Sequence, residues 1–418
     1  MILNGCINHY NFCDKRPCVR CHRVEILIQH HFEETNGTCR CHKCKVWLCV
    51  LTYHTEICKL KGCIVCEKAK GIPSQVPAAP VIVHQTPSLD PDDLIVWRNE
   101  SFPCDTTHFK EDEHYAFLDV LGKGGHGAVH NVEISDDVKK KYFNLSCRDF
   151  VAKKTDKVED DEKYVFEQTS NHPNFLETYL VLQKMDPNDR HFRIVMERCE
   201  FSLNDHLSKL VNDGKRLEMD EAIFYWTQIF DALKHLHHLH IPVIHKDVKA
   251  ENVLLSIKDN LVRVKLADYD TVKRLHHEFT MPGLNPKGTP GLIAPEVLRQ
   301  VSHGRPADVW NMGMFLLQML FLRDFNRLQR NILALKTVKN MNKFLFIHYT
   351  EQLIKNFLNE KIPELKQMDK KLADLIQSCL DEDPSKRPTA IEVLQHPAVT
   401  EYTRRGINMN ELIRNLNA

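Results

Sequence analysis

Two groups of residues in this chain have the types and spacing of chemistry. The first is a run of thiols and imidazoles: 11 of the 15 cysteines in 418 residues lie between Cys6 and Cys66. The unit His9-x3-Cys13-x4-Cys18-x2-Cys21 recurs with the same spacing as His54-x3-Cys58-x4-Cys63-x2-Cys66. A degenerate unit between them offers His30, Cys39, Cys41 and Cys44. Glu34 stands where the repeat would place a cysteine, so Cys39 substitutes, with His31 the alternative to His30. Each unit supplies four nitrogen or sulfur donors, the number a tetrahedral structural zinc site requires. His-x3-Cys sets two donors one helical turn apart on one face, and Cys-x2-Cys adds two from a tight knuckle. Zinc is therefore expected on these twelve residues, stapling a segment of about 70 residues too poor in large apolar side chains to fold unaided. Residues 1–70 hold 11 Lys and Arg against 6 Asp and Glu. Three sites of about −1 each, one imidazole with three thiolates, leave an excess near +2, so the basic patch largely balances thiolate charge.

The second group is dispersed. Asp247 and Asn252 lie five apart on a loop between apolar segments, with Lys249 between them and Asp268 beyond the next strand pattern. Carboxylate and amide oxygens suit a hard cation such as magnesium, and a loop aspartate can accept a hydroxyl proton. Upstream, Leu121-Gly122-Lys123-Gly124-Gly125-His126-Gly127-Ala128-Val129 follows one strand pattern and enters another. A dinucleotide turn would enter a helix instead. Glycines there let the backbone approach phosphate oxygens without Cβ clashes. Phe150-Val151-Ala152-Lys153-Lys154 is a short apolar strand ending in lysine. Strand alternation and the Val-Ala-x-Lys register select Lys154, rather than Lys153, as the phosphate ligand.

These groups must be positioned by three zones. Residues 1–70 form the zinc-stapled helical module. Residues 71–107 carry Pro73, Pro77, Pro80, Pro87, Pro91 and Pro103, a density that forbids helix and predicts an extended linker. Residues 108–400 alternate strand and helix patterns over a length that buries a large core, starting near Tyr115 where YAFLDVLG alternates, and residues 401–418 are a C-terminal tail. Hydrophobic residues make up 43% and charged residues 27%, and 56 Lys and Arg balance 56 Asp and Glu. That balance excludes global disorder and disfavours a nucleic-acid partner. Met1 to Cys6 has neither a basic start nor an apolar run, so no secretory leader is expected. No stretch reaches the roughly 20 apolar residues of a membrane span. An intracellular location, cytoplasmic and/or nuclear, follows, where cysteine clusters bind metal more often than they form disulfides.

Further along lie Asp268-Tyr269-Asp270, Gly288-Thr289-Pro290, Ala294-Pro295-Glu296, Asp308-Val309-Trp310 with Gly313, and Arg387. In this order and at these distances the motifs, with His245-Lys246-Asp247, resemble the eukaryotic protein kinase family across about residues 109–400. The resemblance implies an α+β bilobal fold, a small antiparallel β lobe and a larger helical lobe, with ATP and magnesium as cofactors and protein substrates. It implies that the glycine loop covers the phosphates, Lys154 grips them, Asp268 and Asn252 hold magnesium, Asp247 is the base and Lys249 steadies the γ-phosphate. It also places Met196 as gatekeeper and backbone groups of Glu197 and Cys199 at the adenine, with Ala152, Val129 and Leu254 among the cofactor-binding residues. Glu296 and Arg387 would form a structural ion pair. EKYVFEQTSNHP looks like the corresponding helix of atypical protein kinase C members, which picks Glu162 as partner of Lys154, with Glu167 the fallback. Lys249 and Thr289 match serine/threonine rather than tyrosine kinases. Residues 6–66 resemble, in spacing, the TAZ-type zinc finger of transcriptional coactivators, which implies a peptide or transcription-factor partner.

The chain departs from the kinase pattern in two places. Lys246 replaces the usual arginine, which weakens the case for control by phosphorylation at Thr271 or Thr280, since lysine offers a point charge and no bidentate fork. Asp270 stands where the family has glycine, a residue free in backbone angle. The expected function is a magnesium- and ATP-dependent serine/threonine protein kinase with a zinc module for partner binding. The alternatives are a pseudokinase scaffold, motivated by Asp270, and a zinc-module transcriptional adaptor.

Overall fold

A computed structural model describes residues 93–99, 108–109, 115–124, 127–135, 149–170, 172–184, 191–275 and 288–417. The chain forms two compact units, Met1–Leu89 and Asp90–Ala418. All described residues belong to the second, so the expected zinc ligands from His9 to Cys66 lie outside them. So do Gly125 and His126 of the glycine loop and Thr280.

The small lobe is a seven-stranded sheet in the order β2-β1-β6-β7-β5-β4-β3. Its strands are β1 (Asp93–Arg98), β2 (His108–Phe109), β3 (Tyr115–Gly124), β4 (Gly127–Ile134), β5 (Phe150–Thr155), β6 (Thr178–Lys184) and β7 (Phe192–Glu197), with α1 (Asp160–Thr169) between β5 and β6. Every strand pair is antiparallel. β1 falls inside the expected linker. Its run DLIVWR pairs with β6, and the prolines flanking it at 91 and 103 bound a strand instead of extending a spacer.

Alternation sends successive residues to opposite faces. Phe150, Ala152, Leu180, Leu182 and Val195 join Tyr115, Val132, Ile134 and Tyr179 in an outer cluster. Val181 and Ile194 turn inward to meet Val165 and Phe166 of α1. On α1 the buried residues Glu162, Val165, Phe166 and Thr169 occupy one face at helical spacing. The acidic first turn, Asp160 to Glu162, suits the positive end of its dipole.

The large lobe contains β8 (Phe201–Ser202), α2 (Leu203–Asn212), α3 (Met219–His237), β9 (Val243–Ile244), β10 (Val253–Lys258), β11 (Leu261–Leu266) and β12 (Lys273–Arg274). Helices α4 (Pro295–Leu298), α5 (Pro306–Leu320), α6 (Leu322–Leu335), α7 (Lys343–Met368), α8 (Lys370–Cys379), α9 (Ala390–Gln395), α10 (Pro397–Arg405) and α11 (Met409–Asn417) follow. Helix α5 is buried from Ala307 to Leu320 and is the pillar of the lobe. A Cβ on Gly313 would lie 2.9 Å from the Leu380 side chain, so any side chain there would displace Leu380. Residues 401–418, expected as a tail, largely form α10 and α11, and the latter buries Leu412 and Leu416.

Candidate active site

The loop after β9 is built on one face of α5. The Asp308 carboxylate accepts hydrogen bonds from the backbone N–H of His245 (2.9 Å) and Lys246 (2.7 Å), and it pairs with His237 Nε2 at 2.8 Å. Asn311 Oδ1 accepts from Val248 N (2.8 Å) and Gln318 Oε1 from Ala250 N (3.3 Å). Asp308 is fully buried. Burial alone would raise its pKa, but the His237 hydrogen bond and charge and the two backbone donors hold it below the usual carboxylate range. Lys246 is thereby held at φ 69, in the left-handed region that costs a non-glycine residue about 1–2 kcal/mol.

That strained turn presents Asp247. Its Oδ1 accepts from the Thr289 hydroxyl at 2.7 Å, and its Oδ2 pairs with Lys249 Nζ at 2.9 Å. Asn252 Nδ2 donates to the Asp247 carbonyl at 2.9 Å, and the Asn252 carbonyl accepts from Ala267 N at 2.8 Å, which ties the loop to Asp268. Burial would lower the Lys249 pKa, but the Asp247 carboxylate more than offsets it. Expected residues Asp247, Lys249, Asn252, Asp268 and Thr289 are thus brought together. His237, Asn311 and Gln318, which support them, were not signalled by any motif.

Lys153, not Lys154, reaches this site. Its ammonium lies 2.8 Å from Asp268 Oδ1 and 2.8 Å from Asp270 Oδ2. Lys153 pairs across the ladder with inward-facing Ile194, whereas Lys154 follows the parity of Ala152 toward the outer cluster. The same shift corrects Ala152. It is buried in the outer cluster, and Val151, opposite Met196, occupies the inner face. The strand therefore reads Phe150-Val151-Ala152-Lys153 where the motif register had started one residue later.

Glu162 is buried, but the ion pairs of Lys153 among the described residues are with the two aspartates. Burial first, then the Asp270 charge, pushes the Glu162 carboxyl up to about 8 against the opposing pull of Lys153. Glu167 is exposed. Asp268 stays below the usual carboxylate range: burial would raise it, and Lys153 wins. Asp268 has φ 62, and Asp270 is absent from the described residues of positive φ. The backbone freedom that glycine would supply at position 270 is therefore not used.

Tyr269 lies between them, buried against Phe166 (ring centroids 5.7 Å) and His245 (6.2 Å), and its hydroxyl donates to the Leu266 carbonyl at 2.9 Å. Thr271 is buried and donates to the His245 carbonyl at 2.7 Å, a structural role. Asp161 binds Arg274 Nε (2.5 Å) and Lys273 Nζ (2.8 Å), fastening α1 to β12.

Leu121, Gly122 and Val129 lie on β3 and β4, and Leu254 on β10. Gly127 has φ 140, and a Cβ there would come within 2.0 Å of the Lys154 carbonyl oxygen, so glycine is obligatory. Met196 and Glu197 end β7, and Glu197 pairs with Lys265 at 2.6 Å. Cys199 is a free thiol whose pKa burial pushes up. Glu296 and Arg387 form the expected pair, bidentate at 2.7 and 2.9 Å.

Asp268 and Asn252 offer carboxylate and amide oxygens, the donor set a magnesium ion prefers. No group of three or more His, Cys, Asp or Glu suited to a metal occurs among the described residues, nor does any helix there have the length and apolarity to cross a membrane.

Residues 115–399 match the family described as protein kinase domain. A 3-phosphoinositide-dependent protein kinase B of Dictyostelium discoideum is 29% identical over 308 residues, 71% of this chain and 29% of the relative. Serine/threonine-protein kinase ksg1 of Schizosaccharomyces pombe is 27% identical over 339 residues, 78% and 51% of the two chains. Serine/threonine-protein kinase PEPKR2 of Arabidopsis thaliana is 27% identical over 303 residues, 71% and 56%. The matched part of this chain thus spans between about a third and just over half of these relatives.

Proposed function

The chain belongs to the protein kinase family, and from that premise we propose that it is an active serine/threonine protein kinase. The observation that carries the reading is the Asp247 carboxylate, fixed between the Thr289 hydroxyl and the Lys249 ammonium. Held so, Asp247 orients a substrate hydroxyl and accepts its proton. Lys249 and Lys153 offset the negative charge that gathers in a loose phosphoryl-transfer transition state. The backbone of the glycine loop would cover the phosphates of a bound nucleotide, as the family implies, and Gly127 permits the close approach of its own strand to β5. The family implies ATP, which would supply the transferable phosphoryl group, and magnesium, which would offset phosphate charge and which Asp268 and the Asn252 amide oxygen would hold.

The same reading assigns the adenine-facing positions to Val151, Met196, Leu254 and the backbone of Glu197 and Cys199. Residues 1–70 are proposed as a zinc-stapled module that recruits a peptide partner, supported by the repeated His-x3-Cys-x4-Cys-x2-Cys spacing. An intracellular location, in cytoplasm or nucleus, fits thiols kept reduced for metal.

The test is radiolabel transfer from ATP to a generic protein substrate. Asp247→Asn and Lys153→Met abolish transfer, and Lys154→Met leaves it within about threefold, since an outer-face charge is worth little. Wild type that binds ATP but transfers nothing sinks the reading in favour of a scaffold. Loss of activity in Lys154→Met alone sinks the assignment of Lys153.

A further inference from the structure

The inference rests on the kinase reading and concerns the residue that departs most from the family pattern. Lys153 needs a carboxylate to aim it, and the sequence pattern assigns that task to Glu162. In the structure the carboxylates on the ammonium are Asp268 Oδ1 and Asp270 Oδ2, both at 2.8 Å. We propose that Asp270 is the positioning residue for Lys153, replacing Glu162 in that task.

Three features support the assignment. First, Asp270 is preorganised. Tyr269 before it is buried between aromatic rings, Thr271 after it donates to the His245 carbonyl, and Val272 N donates to the Tyr269 carbonyl at 3.2 Å. A carboxylate set between two anchored neighbours holds its partner at small entropic cost. Second, it is less desolvated than Glu162. The Asp270 side chain is 15% exposed and that of Lys153 14%, whereas Glu162 is 3% exposed. A partly solvated ion pair avoids much of the penalty of a deep one. Third, the donor count fits. An ammonium has three N–H donors. Two are spent on Asp268 and Asp270, and one remains for a phosphate oxygen.

A competing reading has Asp270 as a brake that withholds Lys153 from phosphate. The two readings predict opposite signs. The experiment uses the full chain and measures affinity for a fluorescent ATP analogue in EDTA, with KM for ATP, kcat and thermal midpoint on the same preparations. Asp270→Asn weakens nucleotide binding by about tenfold, as loss of one charge-assisted hydrogen bond implies, and Asp270→Glu recovers most of it. Glu162→Gln changes it by less than about threefold, because the retained Asp270 contact carries the anchoring. In the Asp270→Asn background the same Glu162→Gln change has a larger effect, since Glu162 is then the carboxylate left to substitute.

Nucleotide binding that is unchanged or tightened in Asp270→Asn overturns the proposal, and so does a Glu162→Gln loss larger than that of Asp270→Asn. If Asp270→Asn does not fold, as read from its midpoint, Glu162→Gln and Asp270→Glu decide the question. The binding assay needs no turnover. A chain that shows this pattern but transfers no phosphate keeps the assignment and loses the catalytic reading, and one that binds no nucleotide loses both.

Discussion

Replacing Asp308 with alanine tests how the active-site loop is held. The carboxylate, itself fully buried, is the acceptor for two backbone N–H groups, at 2.9 and 2.7 Å, and for His237 at 2.8 Å. A buried donor left unsatisfied costs about 1–3 kcal/mol, so the two backbone groups together forfeit about 2–6 kcal/mol. Two terms oppose this. Lys246 at φ 69 regains freedom when the turn relaxes, worth about 1–2 kcal/mol, and the buried charge itself disappears. The loss therefore wins with a net destabilisation of about 1–4 kcal/mol. Urea unfolding of the full chain reads it through Trp226 and Trp310, both buried in the same lobe. The turn that relaxes is the one that aims Asp247, and a misplacement near 1 Å costs about a hundredfold in turnover. Asp308→Asn recovers less than half of either loss, because its amide keeps one acceptor and turns a donor toward an N–H. A variant with unchanged midpoint and unchanged kcat would refute the claim that α5 organises the loop.

Two further perturbations follow from buried charge. Arg387→Met leaves Glu296 as an unpaired carboxylate of 8% side-chain exposure and destabilises the chain by about 3–5 kcal/mol in denaturant titration. Adding Glu296→Leu restores most of that, and if the double variant is no better than the single, desolvation is not the cause. For Glu162, the folded-state pKa of about 8 stands above its ordinary 4.5, so the folded protein holds the proton more tightly than the unfolded chain. Its contribution is complete below about pH 4.5 and is lost as pH rises toward 8, by at most about 1.4 kcal/mol per unit. In metal-free buffer the thermal midpoint of wild type therefore falls from pH 5 to 8 more steeply than that of Glu162→Gln. Parallel curves would contradict the burial argument.

Much of the site is legible in the sequence because loop motifs carry their geometry in their spacing. Asp247, Lys249, Asn252, Asp268 and Thr289 converge as the spacing implies, and Glu296 finds Arg387. The lysine was misplaced by one residue for a physical reason. Parity along a strand can be read only when one face is polar, and β5 is apolar on both sides. Phe150 and Ala152 enter an outer cluster with Tyr179 and Val195, while Val151 faces Met196. With two adjacent lysines at its end, polarity gives no choice between them. β1 was hidden differently: proline density describes what flanks DLIVWR and is silent about the six residues between. The supports from α5 were invisible because Asn311 and Gln318 sit in an apolar helix with no motif to mark them.

The placing of strain explains why an aspartate is tolerated at position 270. Among the described residues, two non-glycine positions with positive φ border the catalytic groups: Lys246 precedes Asp247, and Asp268 is itself a cleft carboxylate. Each is held by contacts that a relaxed backbone would lose: Lys246 by Asp308, and Asp268 by Lys153 on its side chain and by the Ala267–Asn252 backbone bond before it. Strain concentrated at a working site persists only where the surroundings over-determine it, and here they are α5 and β5. Position 270 carries none of that strain, so its side chain is open to choice. A carboxylate chosen there lands on the one ammonium that faces the cleft from β5, which makes the substitution a change in how Lys153 is aimed rather than damage to the turn.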